Sequence, residues 1–287
     1  MDNNAYSIDM FRTALLGIIL CISGIALGQD IVRPVTSAYM VEAGGARITN
    51  TYLSPLKYSG WNISLGYDRM QAMRANPENL VMRLTSTINV DRTQNPAKNA
   101  QMWRLTGEFS WGMMLRYRLP HNITIGVGGS TSLDLGCLYS TRNGNNPVAV
   151  EAAWTVNATA FAAWNTRLRG CPITLRYQPT LPLTGVFFSP EYGELFYEIY
   201  LGDTSGLAHA AWWGNYFRME NLVTADFHFG ATALRIGLRS NILSTSVNHI
   251  TTRTVTTSAV IGVSGEWMSI NPSKGLSPDA KIISALY

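Results

Sequence analysis

Along residues 103–119 hydrophobic and polar side chains alternate. The odd positions read Trp103, Leu105, Gly107, Phe109, Trp111, Met113, Leu115, Tyr117 and Leu119; the even ones read Arg104, Thr106, Glu108, Ser110, Gly112, Met114, Arg116 and Arg118. Successive side chains of a strand point to opposite faces, so one face of this segment is apolar and the other charged. The neighbouring segments repeat the pattern. Ile123, Ile125, Val127, Leu133 and Leu135 oppose Thr124, Ser130, Ser132 and Asp134. Leu80, Met82, Leu84, Ile88 and Val90 oppose Arg83, Thr85, Thr87, Asn89 and Asp91. Several runs hold phase for about 15 residues, against ~5–6 in an ordinary soluble strand. A bilayer asks for ~9–11 residues per tilted strand, with aromatic girdles at its two interfaces. Trp103, Trp111 and Tyr117 on one strand, with Trp154 and Trp164 on another, are spaced like such girdles.

The pattern predicts an all-β fold, a transmembrane up-and-down antiparallel β-barrel of about 12 strands with 10 as the alternative. A soluble β-sandwich or lipocalin-like barrel also alternates, but leaves the strand length and the charged face unexplained. The expected strands are about 35–44, 58–70, 79–92, 101–118, 121–139, 148–168, 171–184, 195–202, 207–218, 221–230, 232–246 and 249–268. The ninth, around Trp212-Trp213-Gly214-Asn215, is the least regular. Tight connections at 119–122, 169–170 and 230–231 read as periplasmic turns, and longer ones at 93–100, 141–147 and 185–194 as external loops.

The inward register places Arg83, Asp91, Arg104, Glu108, Arg116, Arg118, Asp134, Glu151, Arg176, Glu198, Asp226, Arg235, Arg239 and Glu266 in the lumen. Charges of both signs in one interior must pair or stay hydrated. Near balance in a barrel this narrow suggests an ionic filling rather than a wide pore. Arg104, Arg116, Arg118 and Arg176 lie on neighbouring strands and form the candidate binding patch, for an anionic solute if carboxylates do not neutralise them.

Residues 13–27 (TALLGIILCISGIAL) have the length of a signal-peptide core and end in Ala26-Leu27-Gly28, which suits cleavage near Gly28. Asp2 and Asp9 sit where a positive region is expected, so Met10 is a better start. Leu20 before Cys21 argues against a lipoprotein. The domains are then a removed signal peptide at 1–28, a barrel at 29–270, and a C-terminal segment at 271–287 that is either a periplasmic tail or the last strand. A tail carrying Ile282, Ile283 and Leu286 has the means to dock at the barrel mouth. Cleavage removes one base and two acids, moving the net charge from +4 to +5. The bases are spaced singly along strands, so no nucleic-acid footprint appears. Cys137 and Cys171 remain, at opposite ends of the barrel, and are expected as free thiols because a bridge needs Cα atoms within ~7 Å.

Several strings resemble a Bacteroidota envelope family known only as a domain of unknown function. They are residues 51–60 (TYLSPLKYSG), 143–147 (NGNNP), 175–182 (LRYQPTLP), 211–217 (AWWGNYF) and the closing 282–287. The resemblance covers essentially the whole mature chain and implies a Gram-negative envelope location. It brings no activity and no site residues.

Chemistry is sparse. His121, His209, His228 and His249 form no CxxC or HExxH pattern, so neither metal nor cofactor is expected. Asp226 and His228 share the inward register, a pairing that orients a general base if a serine such as Ser130 or Ser132 stands nearby. No GxSxG elbow is present. Gly126-Val127-Gly128-Gly129 lies inside a strand with no helix after it, and reads as relief of crowding rather than a phosphate cradle. Three function classes stay open. The first is a non-enzymatic structural or accessory envelope component, with the lipid bilayer and envelope proteins as partners and Phe187-Phe188 as exposed apolar loop surface. The second is a narrow channel for small solutes. The third is a membrane-embedded lipid hydrolase.

Overall fold

In the computed structural model, residues 31–144, 146–193, 196–202, 205–268 and 280–286 are described. The expected signal peptide and residues 269–279 lie outside them. Among the described residues there are two compact units. The smaller holds a two-residue parallel ladder, Ile31–Val32 against Lys281–Ile282. The larger is a barrel.

Its wall has ten strands: β1 Val35–Asn50, β2 Ser54–Ala72, β3 Leu80–Gln94, β4 Gln101–Leu119, β5 Ile123–Ser140, β6 Val148–Leu168, β7 Cys171–Phe188, β8 Tyr216–Phe229, β9 Thr232–Val247 and β10 Ile250–Trp267. Each pairs antiparallel with its sequence neighbours, and β10 closes the ring onto β1 from Thr252↔Asn50 to Trp267↔Val35. Among the described residues the ten-strand ring therefore closes on itself, the condition under which strands can sit in lipid without a row of unpaired backbone groups.

The smaller of the two expected strand counts is the right one. Of the expected strand 195–202, the described residues 196–202 do not form a strand; they include a short helix, Phe196–Tyr200. Residues 207–218 are not one strand either: a four-residue strand, Ala208–Ala211, ends before β8 begins at Tyr216. Ala208–Ala211 pairs with the upper end of β7, the chain leaves the sheet at 212–215, and β8 then resumes lower down. Asn215 makes this excursion: its side-chain oxygen accepts the Trp212 N–H at 3.0 Å while its amide donates to the Ala210 carbonyl at 2.8 Å. Trp212 and Trp213 are thrown outward, and the Trp213 indole N–H donates to the Pro182 carbonyl.

Every strand runs 14 to 21 residues, long enough to cross a bilayer and project beyond it. The barrel is inside out relative to a soluble one. On β4, Met102, Thr106, Met114 and Arg116 are buried while Leu105 is 52 % and Tyr117 53 % exposed. Tyr39, Val41, Leu65, Val127, Leu135, Val223, Leu238 and Ile261 continue the exposed apolar band around the wall. Water-soluble proteins rarely expose contiguous apolar patches beyond a few hundred Å2, so this outer surface is that of a transmembrane barrel.

The ten-strand count puts both ends of the wall at one rim, here called the terminal rim. Tight turns occur at both rims, not at one alone. Arg169-Gly170 at the terminal rim and Asn248-His249 at the far rim both carry two consecutive positive φ values, the signature of the two-residue hairpin turn that matches strand twist. Residues 73–79, at the terminal rim, form a longer connection, where the Asn76 carbonyl accepts the Leu80 N–H at 2.9 Å. Inside, Gly126 makes room for a ring. A Cβ there would stand 2.1 Å from Phe161 Cε1. Cys137 and Cys171 are free thiols, as expected from their positions.

Candidate functional site

The charged face of the sheet folds into a layered lumen. Nearest the terminal rim, Asp68 on β2 receives Arg83 at 3.2 Å, Arg176 at 3.3 Å and Arg235 at 3.5 Å. Asp226 on β8 binds the facing Arg235 through two bonds of 2.7 Å and lies 4.0 Å from Arg176. Three guanidiniums thus share two carboxylates. Above them, Arg239 on β9 joins Glu42 on β1 at 2.9 Å and also Glu220 on β8. Towards the far rim, Arg104 joins Asp91 at 3.1 Å and Glu151 at 2.8 Å, and Arg218 joins Glu108 and Asp134. Here two guanidiniums face four carboxylates, so acid gathers towards the far rim and base towards the terminal rim.

Two ends of the lumen differ in kind. At the terminal rim, residues 283–286 turn inside the wall. Leu286 and Ala285 pack with Met70, Val81, Met114, Phe161 and Ala163. The Arg116 guanidinium donates to the Ser284 carbonyl and, at 2.8 Å, to those of Pro77 and Glu78. Asn165 donates to the Leu286 carbonyl at 3.3 Å, and the Ser284 hydroxyl to Glu266. At the far rim the lumen widens into an open pocket. Its floor is Glu108, Arg218, Asp134, Arg104 and Glu151; its upper walls include Tyr52, Phe187, Tyr216, Leu243 and Ile250.

Of the four arginines predicted as a patch, the structure brings only Arg116 and Arg118 together, both on Glu78 at the terminal rim. Arg104 is in the upper layer with Asp91 and Glu151, and Arg176 is buried in the lowest layer. Arg116 is buried and holds the C-terminal segment, whereas Arg118 and its partner Glu78 at the rim are each about half exposed. Two expected lumen residues lie elsewhere: Arg118 is exposed, and Glu198 is exposed in the short helix. The sequence reading missed Glu42, Asp68, Arg218 and Glu220, all in the ionic network. Glu42 lies on the inward, even register of the expected strand 35–44; Arg218 and Glu220 fall at the break drawn between the expected strands 207–218 and 221–230, which lies inside the single strand β8.

Phe187 is not exposed loop surface. It is 4 % exposed, with its ring 5.2 Å from Tyr216 and 5.6 Å from His209. His228 Nε2 lies 2.8 Å from the Thr174 hydroxyl, Asp226 is taken by Arg235, and Ser132 accepts a bond from Asn157 at 2.9 Å. Among the described residues no cluster of His, Cys and carboxylates suits a metal ion.

Fold and lumen together define the class: a closed ten-stranded transmembrane β-barrel with an ion-paired interior. The chain belongs to the family described as protein of unknown function, DUF3316, whose model matches residues 14–274. No curated protein matches it. Among solved structures it is similar to the outer membrane protease OmpT from Escherichia coli, with 8 % identity over 85 % of this chain and 100 % of that one, TM-score 0.40. The translocator domain of the autotransporter NalP from Neisseria meningitidis shows 10 % identity over 93 % and 98 %, TM-score 0.35. Neisserial surface protein A shows 10 % identity over 80 % and 97 %, TM-score 0.31.

Proposed function

We propose that this protein is a non-conducting outer-membrane barrel, a non-enzymatic structural or accessory component of a Gram-negative envelope, released from its signal peptide near Gly28. The observation that carries the reading is the filling of the lumen. Arg176 and Arg235 reach across the interior to Asp68, which also holds its neighbour Arg83, while Asp226 holds Arg235 and Arg239 ties Glu42 to Glu220 above them. Residues 283–286 add a second obstruction at the terminal rim. Larger barrels leave aqueous channels, whereas narrow ones are filled by their own side chains. The outward apolar band supports the bilayer as the protein's environment.

The test is single-channel recording of the refolded mature chain in a planar bilayer, on material whose gel migration shifts on heating. The reading predicts an electrically silent, heat-modifiable protein. Steady ion-selective conductance would overturn it and favour a narrow channel.

A further inference from the structure

The outer face of the wall carries one patch of unneutralised charge. Strands β10, β1, β2 and β3 are consecutive around the ring. On each of them the first outward-facing charged residue beyond the apolar band, towards the far rim, is a base: Arg253, Arg47, Lys57 and Arg92. Arg47, Lys57 and Arg253 are exposed, and Arg92 is half-buried. Spaced singly in the sequence, they are brought together by ring closure. Arg253 pairs with Thr49, while Arg47 pairs with Val255 on one side and Ser59 on the other. Arg47 is therefore a diagonal neighbour of Arg253, and Lys57 lies two residues past Ser59. Diagonal neighbours on one face stand ~7–8 Å apart, within reach of long side chains. Arg92 extends the arc, its guanidinium 5.3 Å from the Trp103 ring, which meets Trp61 edge-on at 6.0 Å. Tryptophans gather at the level of lipid headgroups, so the bases stand at that level too.

No acid on these strands offsets them. Glu42, Asp68 and Asp91 are buried in the lumen, and Glu266 accepts from Thr36 and Ser284 at the terminal rim. Among the described residues no carboxylate pairs with any of the four bases. Like charges on neighbouring positions repel, so the arrangement favours an anion that arrives from outside the chain. The opposite arc is different in kind: Tyr139, Val150 and Val186 hold the outward far-end positions of β5, β6 and β7 and carry no charge.

We infer that this patch binds the phosphate groups of a lipid headgroup in the leaflet at the far rim, with the chains of that lipid lying along Trp61, Ile63 and Val41. Three of the four bases are arginines, whose planar fork matches phosphate oxygens. The apolar side chains below them are 38 %, 48 % and 50 % exposed, so one molecule meets charge at its head and apolar surface along its tail. The inference rests on the transmembrane barrel and is independent of whether the lumen conducts.

The test uses the full mature chain, with Cys137→Ser and Cys171→Ser, in phosphatidylcholine vesicles. A fluorescent label is placed at Ile63→Cys, below the patch, or at Val186→Cys on the opposite arc. The quencher is a nitroxide high on the acyl chain of either phosphatidic acid or phosphatidylcholine, titrated by mole fraction. Quenching by phosphatidylcholine at both sites verifies that the wall faces lipid, separately from the patch. The inference predicts that phosphatidic acid associates at residue 63 about fivefold or more tightly than phosphatidylcholine, since one base near a membrane surface carries about that factor. At residue 186 the two lipids should be equivalent. Arg47→Gln with Arg253→Gln should bring residue 63 to parity, whereas Arg118→Gln, at the other rim, should leave the preference unchanged. Exchanging chloride for inorganic phosphate at constant ionic strength should also leave it. Heat-modifiable migration verifies that each variant folds. Parity at residue 63 in the parent chain, an equal preference at residue 186, or a preference that survives the double substitution would each overturn the inference. So would its loss in inorganic phosphate, which would make the free anion the ligand.

Discussion

Asp68→Asn keeps the size of the side chain and removes its charge. In the folded barrel that carboxylate lies 3.2, 3.3 and 3.5 Å from Arg83, Arg176 and Arg235, and none of the four side chains is more than 10 % exposed. Without it, three guanidiniums face Asp226 alone. Removing one partner of a buried ion pair costs about 3–5 kcal/mol, because an uncompensated charge stays behind. Asp226 already holds Arg235 twice and lies 4.0 Å from Arg176. Part of the loss is therefore compensated, and the expected cost is at the lower end, about 3 kcal/mol. That is a large share of a typical stability of about 5–15 kcal/mol. The pairing account makes a second demand: Asp68→Asn combined with Arg176→Gln removes one charge of each sign and should be more stable than the sum of the single effects by about 1–2 kcal/mol. Glu78→Gln supplies the contrast, since its partner Arg118 is 3.4 Å away but both are about half exposed, and it should cost less than about 1 kcal/mol. Reversible urea unfolding in lipid vesicles, read as the loss of heat-modifiable migration, measures all four variants. An Asp68→Asn protein within ~0.5 kcal/mol of wild type, or strictly additive effects in the double variant, would refute the buried network as a source of stability.

Three further outcomes follow from particular contacts. Gly126→Ala places a methyl group against the Phe161 ring and should cost about 1–3 kcal/mol by overpacking, with Phe161→Leu in the same chain restoring part of it; urea unfolding reads both. Arg116→Met removes the guanidinium that binds the Ser284, Pro77 and Glu78 carbonyls, so carboxypeptidase should trim the C-terminal residues of the folded variant much faster than those of wild type. Equal trimming would show that the clasp does not hold the segment. Intact mass after alkylation without reductant should correspond to a chain starting at Gln29 with two modified thiols, Cys137 and Cys171; a retained leader or an unmodified pair would contradict cleavage near Gly28 or the free thiols.

The alternation of β4 and β6 was legible because each side chain there answers to only one of two environments, lipid or lumen. β6 is found at the expected bounds, Val148–Leu168. Residues 195–218 misled for the same reason in reverse. A short apolar and aromatic run such as Phe196–Tyr200 fits a strand as readily as a helix, and the excursion at Trp212–Asn215 is made by one asparagine bonding its own neighbourhood. Which residues face inward was mostly readable from phase. Which of them meet was not. Arg239 finds Glu42 197 residues away because β10 closes onto β1, and Arg116 finds the C-terminal segment 168 residues on. Such pairings depend on ring closure, which periodicity does not encode. The far-rim pocket was invisible for a further reason: its lining, such as Arg104, Asp134, Glu151, Phe187, Arg218 and Leu243, comes from six different strands, and none of these residues belongs to a motif.

The central claim is that odd residues of β4 face lipid while even ones face a closed interior. It is tested most directly by nitroxide labels placed singly along residues 104–115, in a background carrying Cys137→Ser and Cys171→Ser and reconstituted in vesicles. Power-saturation spectra then report contact with oxygen, which concentrates in lipid, and with a water-soluble nickel complex. The account predicts a two-residue period, with oxygen contact high at Leu105, Phe109, Met113 and Leu115 and low at Arg104, Thr106, Ser110 and Met114. Nickel contact should be low on both sets through the middle of the strand. High nickel contact at the odd positions would mean that the apolar band faces water, and would contradict the transmembrane barrel itself.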